Sequence, residues 1–208
     1  MQKSPFHRYH LFRNPFGELT REERADLAVA DISPWLVHLT NPSSVVQFVG
    51  ECGRGKSTHL LALAKQLSAA RFIYIPEEGP SPSLPDFRPL IVDEVQRLSN
   101  WQRNRLARAG GPLVLGSHCD HTIQFQRYGL TVHTVLVAER VTPSTICAIL
   151  NRRIEASRHQ PGQVPSISMQ FAVRLFERFG TDMRGIEHYL YRQFQAHALE
   201  QRPWPPAE

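Results

Sequence analysis

Cysteine is scarce in this chain: Cys52, Cys119 and Cys147 are the only three, they form no C-x-x-C pair, and their odd number argues against a disulfide framework. Lysine is as rare, at positions 3, 56 and 65 only, so the net charge of +5 rests on arginine, whose planar guanidinium suits phosphate contact. No stretch approaches the roughly 18 uninterrupted apolar residues that a membrane helix requires. The run Met1-Gln2-Lys3-Ser4-Pro5-Phe6-His7-Arg8-Tyr9-His10 has no apolar signal core. These absences exclude a disulfide-stapled scaffold and lead us to expect a cytoplasmic protein with no membrane insertion. No internal repeat is present. At 208 residues with 41% hydrophobic content, the chain can bury one sizeable core and a small second one, so we expect an α/β domain with an appendage.

What the chain does have is Gly50-Glu51-Cys52-Gly53-Arg54-Gly55-Lys56-Ser57, a fit to G-x-x-x-x-G-K-S/T at every fixed position. Its glycines allow positive φ and close approach, so successive backbone N–H groups can surround the α- and β-phosphates of a nucleoside triphosphate. Lys56 is placed to reach the β/γ oxygens, and Ser57 offers a hydroxyl to Mg²⁺. A helix opening there, through Thr58, points its positive dipole end at the anion. The flanks agree. Ser43–Val49 is a short β-branched run, and Thr58–Leu67 is an apolar-rich helix former.

Further strands are expected at Arg71–Ile75, Pro89–Glu94, Pro112–Ser117 and Leu130–Val137, with helices near Asn100–Ala109 and His121–Tyr128. Before the first strand, Thr20-Arg21-Glu22-Glu23 reads as an N-cap with a glutamate three residues on. Ala25, Leu27, Ala28, Ile32, Trp35 and Leu36 then recur at helical spacing, predicting a helix there. From Thr142 onward only helices are expected: Pro143–Ser157, Ser168–Phe179 and Asp182–Leu199, separated by Pro161-Gly162 and Gly180. The fold class is thus α/β, a five-stranded parallel P-loop sheet with flanking helices and a small C-terminal helical lid. The expected division is 1–40 lead-in and helix, 41–140 core, 141–200 lid and 201–208 fraying tail.

Leu90-Ile91-Val92-Asp93-Glu94 closes an apolar strand with two carboxylates. Asp93 is expected to hold Mg²⁺ through water, together with Ser57, and Glu94 to orient and activate the attacking water. At this point the chain resembles the AAA+ ATPase family, from about residue 41 to residue 199. The resemblance implies that a polar residue ending the fourth strand contacts the γ-phosphate or the water, a place held by Ser117 and His118. It implies that Arg127, late in the helix before the fifth strand, reaches a neighbouring subunit's nucleotide, and that Arg184 in Gly180-Thr181-Asp182-Met183-Arg184 reaches the γ-phosphate from the lid. Between the second and third strands only residues 77–88 intervene, with three prolines, so a threading unfoldase is disfavoured.

The expected ligands are ATP and Mg²⁺, the expected activity ATP hydrolysis, and the expected assembly a homo-oligomer acting as a switch or motor for a partner. One alternative is a DNA-associated accessory ATPase, whose arginine-rich surfaces would track phosphates. Others are a nucleotide-binding interaction module with little turnover, and a small-molecule kinase. His118-Cys119-Asp120-His121 invites a zinc reading, but four consecutive ligands do not easily wrap one tetrahedral ion. Aromatic and basic residues interleave from Phe6 to Arg13, as on single-strand-binding surfaces or in an arm packed on its own domain.

Overall fold

A computed structural model describes residues 4–200, 202 and 204. The chain divides into two compact units. One comprises residues 24–139, and the other joins the N-terminal segment, through residue 23, to everything from residue 140 onward.

The first unit is built on five parallel strands: β1 (Ser44–Val49), β2 (Arg71–Tyr74), β3 (Leu90–Asp93), β4 (Leu113–Ser117) and β5 (Thr131–Leu136). Their order across the sheet is β2-β3-β4-β1-β5, so β4 lies between the strand that precedes the phosphate motif and the strand that ends in Asp93. Register fixes the neighbours: Val49 pairs with Ser117 and Phe48 with Gly116. Alternation along each strand sends side chains to opposite faces. Val45, Val92, Leu113 and Leu115 pack with Leu106 and Ala107 of α4 (Asn100–Arg108) and Phe125 of α5 (Thr122–Gln126). Val46, Phe48, Ile91 and Val114 pack with Leu60 and Leu63 of α3 (Lys56–Gln66). With helices on both faces, the strands read as nearly continuous apolar runs.

The single helix expected across residues 20–36 is two short ones, α1 (Arg21–Asp26) and α2 (Ser33–His38). Proline at position 34 lacks an N–H and can only start a helix, and the Asp31 carboxylate accepts a hydrogen bond from the Ser33 amide (3.1 Å), turning the chain just before it. Elsewhere the elements lie within one or two residues of expectation.

The second unit has α6 (Pro143–Ala156), α7 (Met169–Phe179) and α8 (Met183–Leu199) around Ile146, Leu150, Ala172, Leu175, Ile186, Leu190 and Phe194. Tyr9, Leu11 and Phe16 are buried in that same core, and Phe6 stacks on Phe194. The N-terminal aromatic residues therefore serve as packing for the helices. Arg153, buried in α6, fastens this arrangement: it pairs with Glu187 at 2.5 Å and donates to the carbonyls of Pro15 and Gly17. Of the tail expected to fray, Arg202 and Trp204 are described, and Trp204 is buried edge-on against Phe194; the rest of 201–208 lies outside the described residues. Among the described residues no helix is long and apolar enough to cross a membrane.

Candidate functional site

The loop from Gly50 to Gly55 joins the end of β1 to the start of α3. Gly53 (φ 81°) and Gly55 (φ 94°) occupy the left-handed region, which turns the backbone sharply enough to bring the loop's amides round to the helix start. Gly50 answers a different need, because a Cβ there would stand 2.5 Å from Cγ2 of buried Val137. The Gly50 amide donates to the Ser117 carbonyl (3.1 Å), fixing the loop's first residue to the end of β4. Lys56 is buried, and its ammonium donates to the carbonyls of Gly50 (2.8 Å) and Glu51 (2.9 Å). Arg54 pairs with Glu51 across the loop at 3.1 Å, Cys52 is exposed, and the Thr58 amide donates to Gly55.

Asp93 emerges from β3 into this loop. Its Oδ2 accepts a hydrogen bond from the Ser57 hydroxyl (2.6 Å) and its Oδ1 one from the Glu94 amide (3.0 Å). Its carboxyl is raised above the ordinary carboxylate range, chiefly by burial, with the Ser57 hydrogen bond opposing and the nearby Glu94 charge adding to the rise. Gly116 leaves room for it: a Cβ at that position would meet Asp93 Oδ1 at 2.4 Å. A hydroxyl and a carboxylate converging beside a phosphate loop are hard oxygen donors, the set that suits Mg²⁺.

Glu94 follows with φ 64° and ψ 40°, a left-handed conformation that a non-glycine residue adopts at a cost of about 1 kcal/mol or more. That conformation turns the chain into a short 3₁₀ turn, Val95–Arg97, which wraps back onto the glutamate. Gln96 donates to Glu94 Oε2 (2.7 Å), and Arg97 stands 3.4 Å from the same oxygen while also bonding the Tyr74 hydroxyl and the Ile75 carbonyl at the end of β2. Nε2 of His118 lies 3.7 Å from Glu94 Oε2, and the His118 amide donates to Gln96 Oε1 (3.2 Å). Ser117 is fully buried and turns the other way: its hydroxyl bonds His121 Nε2 (2.9 Å) and accepts from the Cys119 amide (3.0 Å). Burial, aided by the Arg103 charge and opposed by Asp120, lowers the His121 pKa.

No family model and no curated protein matches the sequence. Among solved structures, the chain is similar to that of Cdc6p from Pyrobaculum aerophilum, with a TM-score of 0.52 and 20% identity, over 97% of this chain and 67% of that one. The likeness is one of fold: a five-stranded parallel sheet of the P-loop type with flanking helices and a helical C-terminal part.

In this P-loop fold the expected site residues from Gly50 to Thr58, together with Asp93, Glu94, Ser117 and His118, meet at the carboxyl ends of β1, β3 and β4. Arg127 stands apart, exposed at the C-terminal cap of α5, where it helps to line an open polar groove of about 690 Å³ with Arg103, Asn104 and Tyr128. Arg184 opens α8 and is exposed in the helical unit, where Asp182 caps the helix by accepting from the Gly185 amide. Of the run His118 to His121, the His118 ring faces Glu94, the Asp120 carboxylate accepts from Gln47 and Thr122, and the His121 ring bonds Ser117, and among the described residues no group of three potential metal ligands stands together. Gln96, Arg97 and Gly116 were not singled out from sequence. A glycine inside an apolar strand was a usable sign of close approach; nothing local marks the other two.

Proposed function

We propose that the chain binds ATP with Mg²⁺ and hydrolyses it, working as a nucleotide-driven switch for a partner. The observation that carries this reading is the Ser57–Asp93 hydrogen bond, which holds hydroxyl and carboxylate together one residue from Glu94 and beside buried Lys56. In this reading the amides of residues 50–57 receive the phosphates, and Lys56 exchanges the carbonyls of Gly50 and Glu51 for phosphate oxygens. Ser57 and Asp93 would hold Mg²⁺, which when bound neutralises charge on the phosphates. Glu94 orients the attacking water and takes up its proton, with its carboxylate steadied by Gln96, Arg97 and His118.

In this reading His118 rather than Ser117 takes the γ-phosphate-sensing role; what supports it is that the Ser117 hydroxyl bonds His121 and Cys119, whereas the His118 ring faces Glu94. Arg127, exposed at a helix end, suits action in trans within a homo-oligomer. Glu94→Gln preserves the carboxylate's shape without its basicity, so ATP affinity should stay within about twofold while turnover falls by roughly 10²–10⁴. Lys56→Ala should abolish tight binding. Turnover at the parental rate in Glu94→Gln would refute the assignment. Salt-sensitive, ATP-dependent association with duplex DNA would make the partner nucleic acid; association that ignores salt and DNA would make it a protein.

A further inference from the structure

Gln47 sits in the middle of β1, fully buried among Val45, Val46 and Phe48, which are fully buried as well. An amide in such a place costs free energy unless its hydrogen bonds are made. Here they are made, and nearly all to one short stretch of chain. Nε2 lies within hydrogen-bond distance of Asp120 Oδ1 (2.6 Å), Thr122 Oγ1 (2.8 Å) and Thr134 Oγ1 (2.7 Å), three acceptors for two protons. Oε1 accepts from the His121 amide (3.1 Å). The Asp120 carboxylate that receives Gln47 also accepts from the Thr122 amide at 2.7 Å, which closes the turn between β4 and α5.

The turn is thus fastened at both ends, to β1 through Gln47 and to itself through the Ser117–His121 bond. Between these anchors lies His118, whose ring is directed at Glu94 and whose amide is held by Gln96. We infer that Gln47 is a positioning residue for the hydrolytic site: by gripping residues 120–122 from within the sheet, it sets where His118 stands against Glu94. This rests on the proposed ATPase reading. The Gln47 side-chain hydrogen bonds go to Asp120, His121, Thr122 and Thr134 and none to Lys56, Asp93 or Glu94, so its effect passes through the turn.

The test is Gln47→Leu, alone and combined with His118→Ala. Turnover at saturating ATP should fall about tenfold or more, while KM and the affinity for a nonhydrolysable ATP analogue stay within twofold. In the His118→Ala background, Gln47→Leu should lower turnover by less than a further twofold, since two changes acting through one side chain do not multiply. In the nucleotide-free protein the imidazole NMR resonances of His118 should move, while those of His59, which packs on Phe48 on the opposite face of β1, stay in place. A loss of analogue affinity matching the loss of turnover, a full multiplicative effect on His118→Ala, or unmoved His118 resonances would each overturn the inference. If Gln47→Leu does not fold, Gln47→Glu keeps the acceptor for the His121 amide, loses the donors, and is read by the same measurements. If the parent protein shows no ATP turnover, the proposed function fails, and the His118 resonances alone decide whether Gln47 positions the turn.

Discussion

Gly116 is a mid-strand glycine in a fully buried strand, and its replacement by alanine tests the carboxylate site through a single methyl group. The added Cβ would stand 2.4 Å from Asp93 Oδ1 and 3.0 Å from Leu60 Cδ2. The leucine methyl can swing aside, but the carboxylate is held at both oxygens, by the Ser57 hydroxyl and the Glu94 amide. An ordinary carbon–oxygen contact is about 3.3–3.6 Å, so Asp93 must retreat by about 1 Å. That stretches two hydrogen bonds to a charged group, each worth about 1.5–3 kcal/mol. Alanine recovers about 0.5–1 kcal/mol of backbone entropy in a strand. The balance is a net loss of roughly 2–4 kcal/mol, which lowers the melting temperature by roughly 5–15 °C for a protein of this size. Thermal unfolding followed by circular dichroism measures this directly. Titration of a nonhydrolysable ATP analogue with and without Mg²⁺ measures the local consequence: the enhancement of affinity by Mg²⁺ should shrink while Mg²⁺-free affinity is retained. A variant that keeps the parent's melting temperature within about 2 °C and its full Mg²⁺ enhancement would show that Gly116 is not the spacer for Asp93, and the reasoning would fail.

Three further outcomes follow from the same contacts. Because burial raises the Asp93 pKa, the native state holds that proton more tightly than the unfolded chain, so Asp93 lowers stability as pH rises from its unfolded value near 4 through its folded value; Asp93→Asn should therefore be at least as stable as the parent at neutral pH, by urea unfolding, while losing Mg²⁺-dependent affinity. Arg153→Met strands the Glu187 carboxylate and the carbonyls of Pro15 and Gly17 in the helical unit, and should cost about 3–5 kcal/mol by chemical denaturation; a cost under about 1 kcal/mol would mean the N-terminal segment is not fastened there. Arg127→Ala should leave ATP affinity at high dilution unchanged and reduce the rise of specific activity with protein concentration, whereas parental concentration dependence would remove Arg127 from any role in trans.

The phosphate loop was legible because its chemistry demands particular residue types at fixed spacing within eight consecutive positions, and Asp93-Glu94 because an apolar strand has few reasons to end in two carboxylates. The strands were legible from their apolar runs. What escaped sequence reading is non-local. An arm of aromatic and basic residues has the same composition whether it binds a nucleic acid or packs on a helix bundle, and only the burial of Tyr9, Leu11 and Phe16 separates the two. Nothing in the run Ser43–Val49 marks Gln47, whose four partners lie 73 to 87 positions away along the chain. The insertion of β4 between β1 and β3 explains most of the difference. It puts Gly116 against Asp93, ties Gly50 to Ser117, and sets His118 beside Glu94. Two motifs that are separate along the chain are thereby joined through a third strand that lies between them. A disturbance at the end of β4 should consequently be felt by the phosphate loop and the carboxylates together, and Gly116 and Gln47 are where that coupling can be broken without touching either motif.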